Sequence, residues 1–171
     1  MYFGRLLLLL SFAVLAACQS TGGAIGVSVT KCCAEPGYHT FSSETADMPA
    51  FLVPLIKANF DAAFSARGLV LNAEDADLMV VLRYEQENLA APETPDDFEG
   101  HIAPGGNVRY IARIQVEIHD ASSGRLVWAG NVQRIHDVDA GEYMHSGKAS
   151  LAIFNAFTRL LSDFSVPAET Y

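Results

Sequence analysis

Between Val108 and His119 apolar and polar side chains alternate almost without a break. Val108, Tyr110, Ala112, Ile114, Val116 and Ile118 fall on one side, and Arg109, Arg113, Gln115, Glu117 and His119 on the other. Successive side chains of a strand point to opposite faces, so this stretch predicts a strand with one face in a core and one in water. Only Ile111 interrupts the polar side. Asp120-Ala121-Ser122-Ser123-Gly124 reads as a turn, and Arg125 to about His136 as the returning arm of a hairpin. Leu126, Trp128, Gly130 and Val132 share one face of that arm. Ile135 falls out of phase with them, which predicts a bulge between Gly130 and Arg134.

A hairpin with one apolar face needs a layer to cover it, and two segments have the right period. Leu52, Leu55, Ile56, Phe60, Ala63 and Phe64 recur at helical spacing from about Pro49 to Arg67, with Gly68 as the stop. Ile153, Phe154, Phe157, Leu160, Leu161 and Phe164 form a second stripe within a helix from about Tyr143 to Phe164. Tyr38 to Phe41 is a short β-prone run. Leu78 to Tyr84 is apolar on both faces, as expected of a central strand covered on each side. The expected fold is therefore α+β: strand, helix, three strands, helix, with two helices packed on one face of a mainly antiparallel sheet.

The first twenty residues carry an address. Arg5 precedes an apolar run from Leu6 to Val14, and Leu15-Ala16-Ala17-Cys18 follows. A cationic start, a short apolar stretch and small residues before the cut make an export signal. The Cys directly after Leu-Ala-Ala makes it the bacterial lipoprotein type, in which a diacylglyceryl group is joined to the Cys18 thiol, cleavage follows and the new amino terminus is acylated, for example with palmitate. Residues 1–17 are thus read as signal peptide, 18–35 as a lipidated flexible tether and 36–167 as the folded domain. Gln19, in place of the Asp that favours inner-membrane retention, points to the periplasmic face of the outer membrane. The chain's net charge of -9 becomes -10 once Arg5 is cut away, so the body is repelled by an anionic bilayer and is not expected to lie flat on it.

Tyr38-x-Thr40-Phe41, Ala76-Asp77-Leu78-x-Val80, the Asp120-x-x-Ser-Gly124-x-Leu126-Val127-Trp128-x-Gly130 hairpin and the closing amphipathic helix resemble the bacterial lipoprotein family known as domain of unknown function 4136 (DUF4136). The resemblance covers roughly residues 36–167. It departs at Ser42-Ser43, where the family often has an aromatic residue, and at Ala129, where it often has a basic one. The family has no assigned activity, so the resemblance implies location and fold alone.

Few residues offer chemistry. Cys32 and Cys33 are adjacent thiols in an oxidising compartment, and a vicinal or intermolecular disulfide is expected. His39 alone lies near them, too few ligands for a structural metal site. His119 and His136 lie on opposite hairpin arms. Counting from the turn pairs position 119 with 125 or 126, which keeps the two histidines apart. Asp137, Asp139, Glu142 and His145 precede the last helix, where acids favour the helix dipole. The connection from Gln86 to Asn107 carries Glu87, Glu93, Asp96, Asp97 and Glu99 without a Lys or Arg. Phe51, Phe60, Phe64, Trp128, Phe154 and Phe157 are either core or the wall of a ligand pocket.

The chain has no Gly-x-Ser-x-Gly, His-Glu-x-x-His or phosphate-loop motif; Ser146-Gly147-Lys148 lacks the preceding glycine. The acidic balance speaks against nucleic acid. The expectation is a non-enzymatic envelope lipoprotein without cofactor or metal, bound to the membrane through its lipid and contacting an envelope protein. A carrier of a lipid or small apolar ligand is the alternative, and a hydrolase or metal site ranks below it.

Overall fold

β-branched and aromatic alternation builds the centre of the molecule. In the computed structural model, which describes residues 25–31, 37–89, 108–138 and 146–164, the period-two stretch is strand β5 (Val108–Asp120). Its neighbours are β4 (Leu78–Asn88) and β6 (Leu126–Val138), both antiparallel to it. β1 (Ile25–Lys31) pairs antiparallel with the outer side of β6. β2 (Thr40–Ala46) and the two-residue β3 (Val70–Leu71) complete the order β1-β6-β5-β4-β2-β3. Helices α1 (Val53–Ser65) and α2 (Ser146–Leu160) pack on the sheet and on each other, and a 3₁₀ turn (Leu161–Asp163) follows α2.

The sheet is mixed, not mainly antiparallel. β2 runs parallel to both β4 and β3. The cause is α1, which carries the chain from the end of β2 back along the sheet, so that the next strands start at the end where β2 started. Pro54 sits in the first turn of α1, where its missing N–H costs nothing. Gly68 ends the excursion with φ of 94°, a conformation that suits a residue without Cβ.

Three further expectations need correction. Residues 25–31, read as tether, form an edge strand: Ile25, Val27 and Val29 alternate, and their row meets Arg134, Val132 and Gly130. β4 is central but covered on one side. Leu78, Val80 and Leu82 are wholly buried, whereas Met79 on the other face is 38% exposed. The bulge lies before Gly130, not after it. Ile118 faces Trp128 and His119 faces Leu126, leaving Val127 as the extra residue. Val127 and Trp128 are therefore both buried in succession, and Leu126 leaves the face it was expected to share with Trp128.

The core sits between the sheet and the helices. Phe41 meets Phe64 at 4.9 Å, Phe64 meets Phe164 at 5.0 Å, and Phe60 meets Phe157 at 5.3 Å across the two helices. Each fully buried ring stabilises by about 1.5–3 kcal/mol. Trp128 is fully buried against Phe164, and next to it Gly130 admits a close approach. A Cβ at Gly130 would lie 2.8 Å from the Ser28 carbonyl oxygen and 2.9 Å from Leu160 Cδ1. Among the described residues one polar residue, Asn59, is buried, between the helices. Its amide donates to the Leu55 carbonyl at 2.7 Å and its oxygen accepts from the Ser150 hydroxyl at 3.0 Å.

Candidate functional site

With the helices on one face, the other face of the sheet is left without a covering helix among the described residues. Its chemistry follows from the odd positions of β4 and β5. Arg113 reaches Glu85 at 3.3 Å, and Gln115 donates to the same carboxylate at 2.6 Å. Glu85, Gln86, Glu87, Ile111 and Arg113 line a shallow hollow of about 280 Å³. Arg83 pairs with Asp47 at the neighbouring edge. These groups are paired and at least partly wet, so the face offers hydrogen bonds to a partner more than it adds stability.

The two ends of the sheet differ. At the end where β5 turns into β6, two carboxylates act as latches. Asp77 accepts from the backbone N–H of His39 at 2.8 Å and of Thr40 at 2.9 Å. Those donors hold its carboxyl below the usual range. Asp120 accepts from the hydroxyls of Ser122, Ser123 and Tyr38 and from the Ser123 N–H, which lowers its carboxyl strongly. The motif residues Tyr38, Thr40, Asp77 and Asp120 thus fasten β2, β4 and the hairpin turn together; their role is structural.

At the opposite end the helix-side positions turn polar. Beyond Tyr84, which packs on the core, come the rows Gln86–Ala112–Arg134 and Asn88–Tyr110–His136. The Tyr84 hydroxyl donates to Gln86 at 3.0 Å. Tyr110 and His136 stack in parallel with centroids 4.7 Å apart. Burial and, after it, the nearby Arg134 push the His136 imidazole below its usual value, favouring its neutral form. Burial also raises the Tyr84 phenol, with Tyr110 adding to it. Arg134 Nε is closed off from solvent and has no hydrogen-bond partner.

The sequence candidates distribute as follows. Cys18, Cys32, Cys33, His101, Asp139, Glu142 and His145 lie outside the described residues, as do 90–107 of the acidic connection. For Asp137 only the backbone is placed, opposite Arg109. His119 faces Leu126 and contacts the Gly124 carbonyl at 3.3 Å, whereas His136 faces Tyr110, so the count from the turn holds and the two histidines share no site. Among the described residues no group of three or more His, Cys, Asp or Glu could hold a metal ion. Of the rings weighed as a pocket wall, Phe60, Phe64, Trp128 and Phe157 are fully buried against other rings, and Phe51 is 73% exposed. They are core.

Sequence reasoning did not single out the Tyr110–His136 stack, although the signal was there. Once Ile118 faces Trp128, counting eight residues along each arm pairs Tyr110 with His136.

No family model and no curated protein matches the chain. Solved structures do. The PelC dodecamer from Paraburkholderia phytofirmans is similar at 12% identity with a TM-score of 0.53, over 85% of this chain and 100% of that one. Lipoprotein GNA1162 from Neisseria meningitidis is similar at 10% identity and a TM-score of 0.41, over 72% of this chain and 99% of that one. The rare lipoprotein B from Shewanella oneidensis is similar at 13% identity and 0.39, over 72% and 92%. The likeness to PelC shows a shared fold, which in this chain is α+β, a six-stranded mixed sheet with two helices.

Proposed function

We propose that the chain is a lipoprotein of the DUF4136 kind, anchored through Cys18 at the periplasmic face of the outer membrane, and that it acts by binding and not by catalysis. The observation that supports this is the order of three features along the chain: the Arg5-to-Val14 export signal, Leu15-Ala16-Ala17-Cys18, and an edge strand beginning at Ile25. A body starting that soon after a lipidated cysteine is held at the bilayer, with its open sheet face and edge strand free to meet an envelope protein. The similar lipoproteins fit this reading.

Replacing Cys18 by Ser tests it. The variant should leave the membrane fraction and lack the added mass of the acyl chains. Wild-type protein should band with outer-membrane markers on a density gradient. A wild-type chain of unmodified mass, or one recovered equally in the soluble fraction, counts against the anchor.

A second reading concerns assembly. The similar PelC structure is a dodecamer. Here β1 and the β2–β3 side are the two lateral edges of one sheet. An edge of one copy laid against the opposite edge of the next is a heterologous contact, which repeats and can close into a ring. The native mass of the detergent-extracted protein decides it, and a monomer speaks against the ring.

A further inference from the structure

The charges of the chain are divided between the two lateral flanks of its sheet. At one flank α2 packs over β1 and β6; at the other α1 packs over β2 and β3. The sequence of β1, β6, α2 and the 3₁₀ turn carries Lys31, Arg134, Lys148 and Arg159 against Asp137 and Asp163. Residues 40–77 carry Glu44, Asp47, Asp61, Glu74, Asp75 and Asp77 against Lys57 and Arg67. A chain with a net charge of -9 thus keeps one flank basic and the other strongly acidic.

Part of the acid is neutralised within the molecule. Lys57 pairs with Asp61, Arg83 with Asp47, and Asp77 accepts from two backbone N–H groups. Glu44, Glu74 and Asp75 are exposed and form no ion pair among the described residues. Lys148 and Arg159 are exposed on the opposite flank and form none either; Arg159 donates only to the Ile25 carbonyl, at 3.5 Å. Unpaired charge of opposite sign therefore remains at the two sides of one sheet.

The backbone and the apolar side chains repeat this pattern of unfilled edges. β3 pairs only with Thr40 and Phe41, so Ser42 to Ala46 of β2 have no outer neighbour among the described residues, and β1 has none along its outer side. Val27 and Val29 on β1 are 40% and 37% exposed, and Val70 and Leu71 on β3 are 62% and 48% exposed. Following the pairings across the sheet, β1 runs antiparallel to β2. A second copy set beside the first in the same orientation accordingly brings its β2 antiparallel to β1, the arrangement of a regular ladder.

Charge decides among the ways two copies can meet. Joining basic flank to basic flank sets Lys148 and Arg159 against their own counterparts, and joining acidic flank to acidic flank does the same with Glu44, Glu74 and Asp75. Like charges brought together at an interface oppose it, and opposite ones steer and hold it. We infer that the chain binds a second copy of itself head to tail, the basic β1–α2 flank of one copy against the acidic β2–β3 flank of the next. This rests on the assembly reading given above and fixes both its contact and its polarity.

Sedimentation of the acylated protein extracted in detergent, over a range of concentrations, tests it. Between about 0.1 M and about 1 M salt the screening length falls from about 10 Å to about 3 Å, and the association constant should fall about tenfold. Lys148→Glu with Arg159→Glu makes both flanks acidic; Glu74→Lys with Asp75→Lys makes both basic. Each double variant alone should associate about tenfold more weakly than wild type, with its melting temperature within a few degrees. An equimolar mixture of the two should regain wild-type association, because each contact in it again joins opposite charges. An oligomer indifferent to salt, one weakened by only one of the two double variants, or a mixture that stays dissociated overturns the head-to-tail contact and leaves assembly standing. A wild-type monomer at every concentration overturns both.

Discussion

The Tyr38 hydroxyl donates to the Asp120 carboxylate at 2.9 Å, joining the segment before β2 to a hairpin turn that lies 82 residues further along. Asp77 makes the matching tie on the other side of β4, accepting from His39 and Thr40 while its own N–H donates to the Thr40 hydroxyl at 2.9 Å. Between these ties the Asp77 carbonyl accepts from the Ala121 N–H. The parallel pair β2–β4 has no short turn to set its register, so these side chains set it.

The two carboxylates make an acid-limb prediction. Both are lowered on folding, so each contributes stability that is complete above the unfolded carboxylate value near 4 and is lost as pH falls below it. Asp120→Asn should melt lower than wild type at pH 7, because a neutral amide oxygen accepts its four donors less well. The gap should narrow steadily from pH 4 to pH 2 as the wild type gives up the same contribution. Thermal melts across that range check this; a gap independent of pH would show that the charge on Asp120 is irrelevant.

His136 makes a separate prediction at milder pH. Its lowered value means that the folded state resists protonation, so its stability contribution is present above the unfolded histidine value of about 6.5 and is lost as pH falls. Wild type should lose stability between pH 7 and pH 5. His136→Gln, which cannot titrate, should lose less over the same interval. The imidazole resonance of His136 should titrate below the usual range, and Arg134→Gln should move it part of the way back, since Arg134 is the second cause.

Gly130 fixes how closely β1 and α2 approach. Gly130→Ala would place a methyl group 2.8 Å from the Ser28 carbonyl oxygen and from Trp128 Cη2. A backbone oxygen in a paired strand cannot step aside cheaply, so the substitution should destabilise by about 1–3 kcal/mol. Trp128 is the only tryptophan and wholly buried, which makes its emission the probe. The urea midpoint should fall with the slope unchanged, and amide exchange should quicken along Ile25–Lys31 before it does so in β5.

Period-two and helical stripes are local signals, and they made β5, the hairpin and both helices legible. What remained hidden depended on contacts between distant segments. Nothing local in Tyr38 to Phe41 says that β2 runs parallel to β4; that follows from the path of α1. Leu78 to Tyr84 looked doubly covered because Met79 and Val81 are apolar, yet the chain has no third layer among the described residues. Ile25, Val27 and Val29 do alternate, but their glycine and serine neighbours resemble a tether, and only pairing with β6 makes them a strand. The placement of Val127 at the bulge is set by the demand to bury both it and Trp128, which no count of alternation reveals.

Two phenylalanines, Phe157 and Phe51, separate a packed core from a ligand cavity. Phe157 is fully buried and meets Phe60 edge-on at 5.3 Å, whereas Phe51 is 73% exposed just ahead of α1. If these rings serve the core, Phe157→Ala leaves a void and costs about 3–5 kcal/mol. Phe51→Ala then changes stability by no more than about 0.5 kcal/mol. A carrier would behave otherwise: its inner rings would touch ligand more than each other, so Phe157→Ala would cost little in stability and would strip bound lipid from the purified protein. Chemical denaturation of the two variants, with lipid extraction of each, gives opposite answers for the two readings. The ring-to-ring distances predict the large loss at Phe157, no loss at Phe51 and no lipid in either extract.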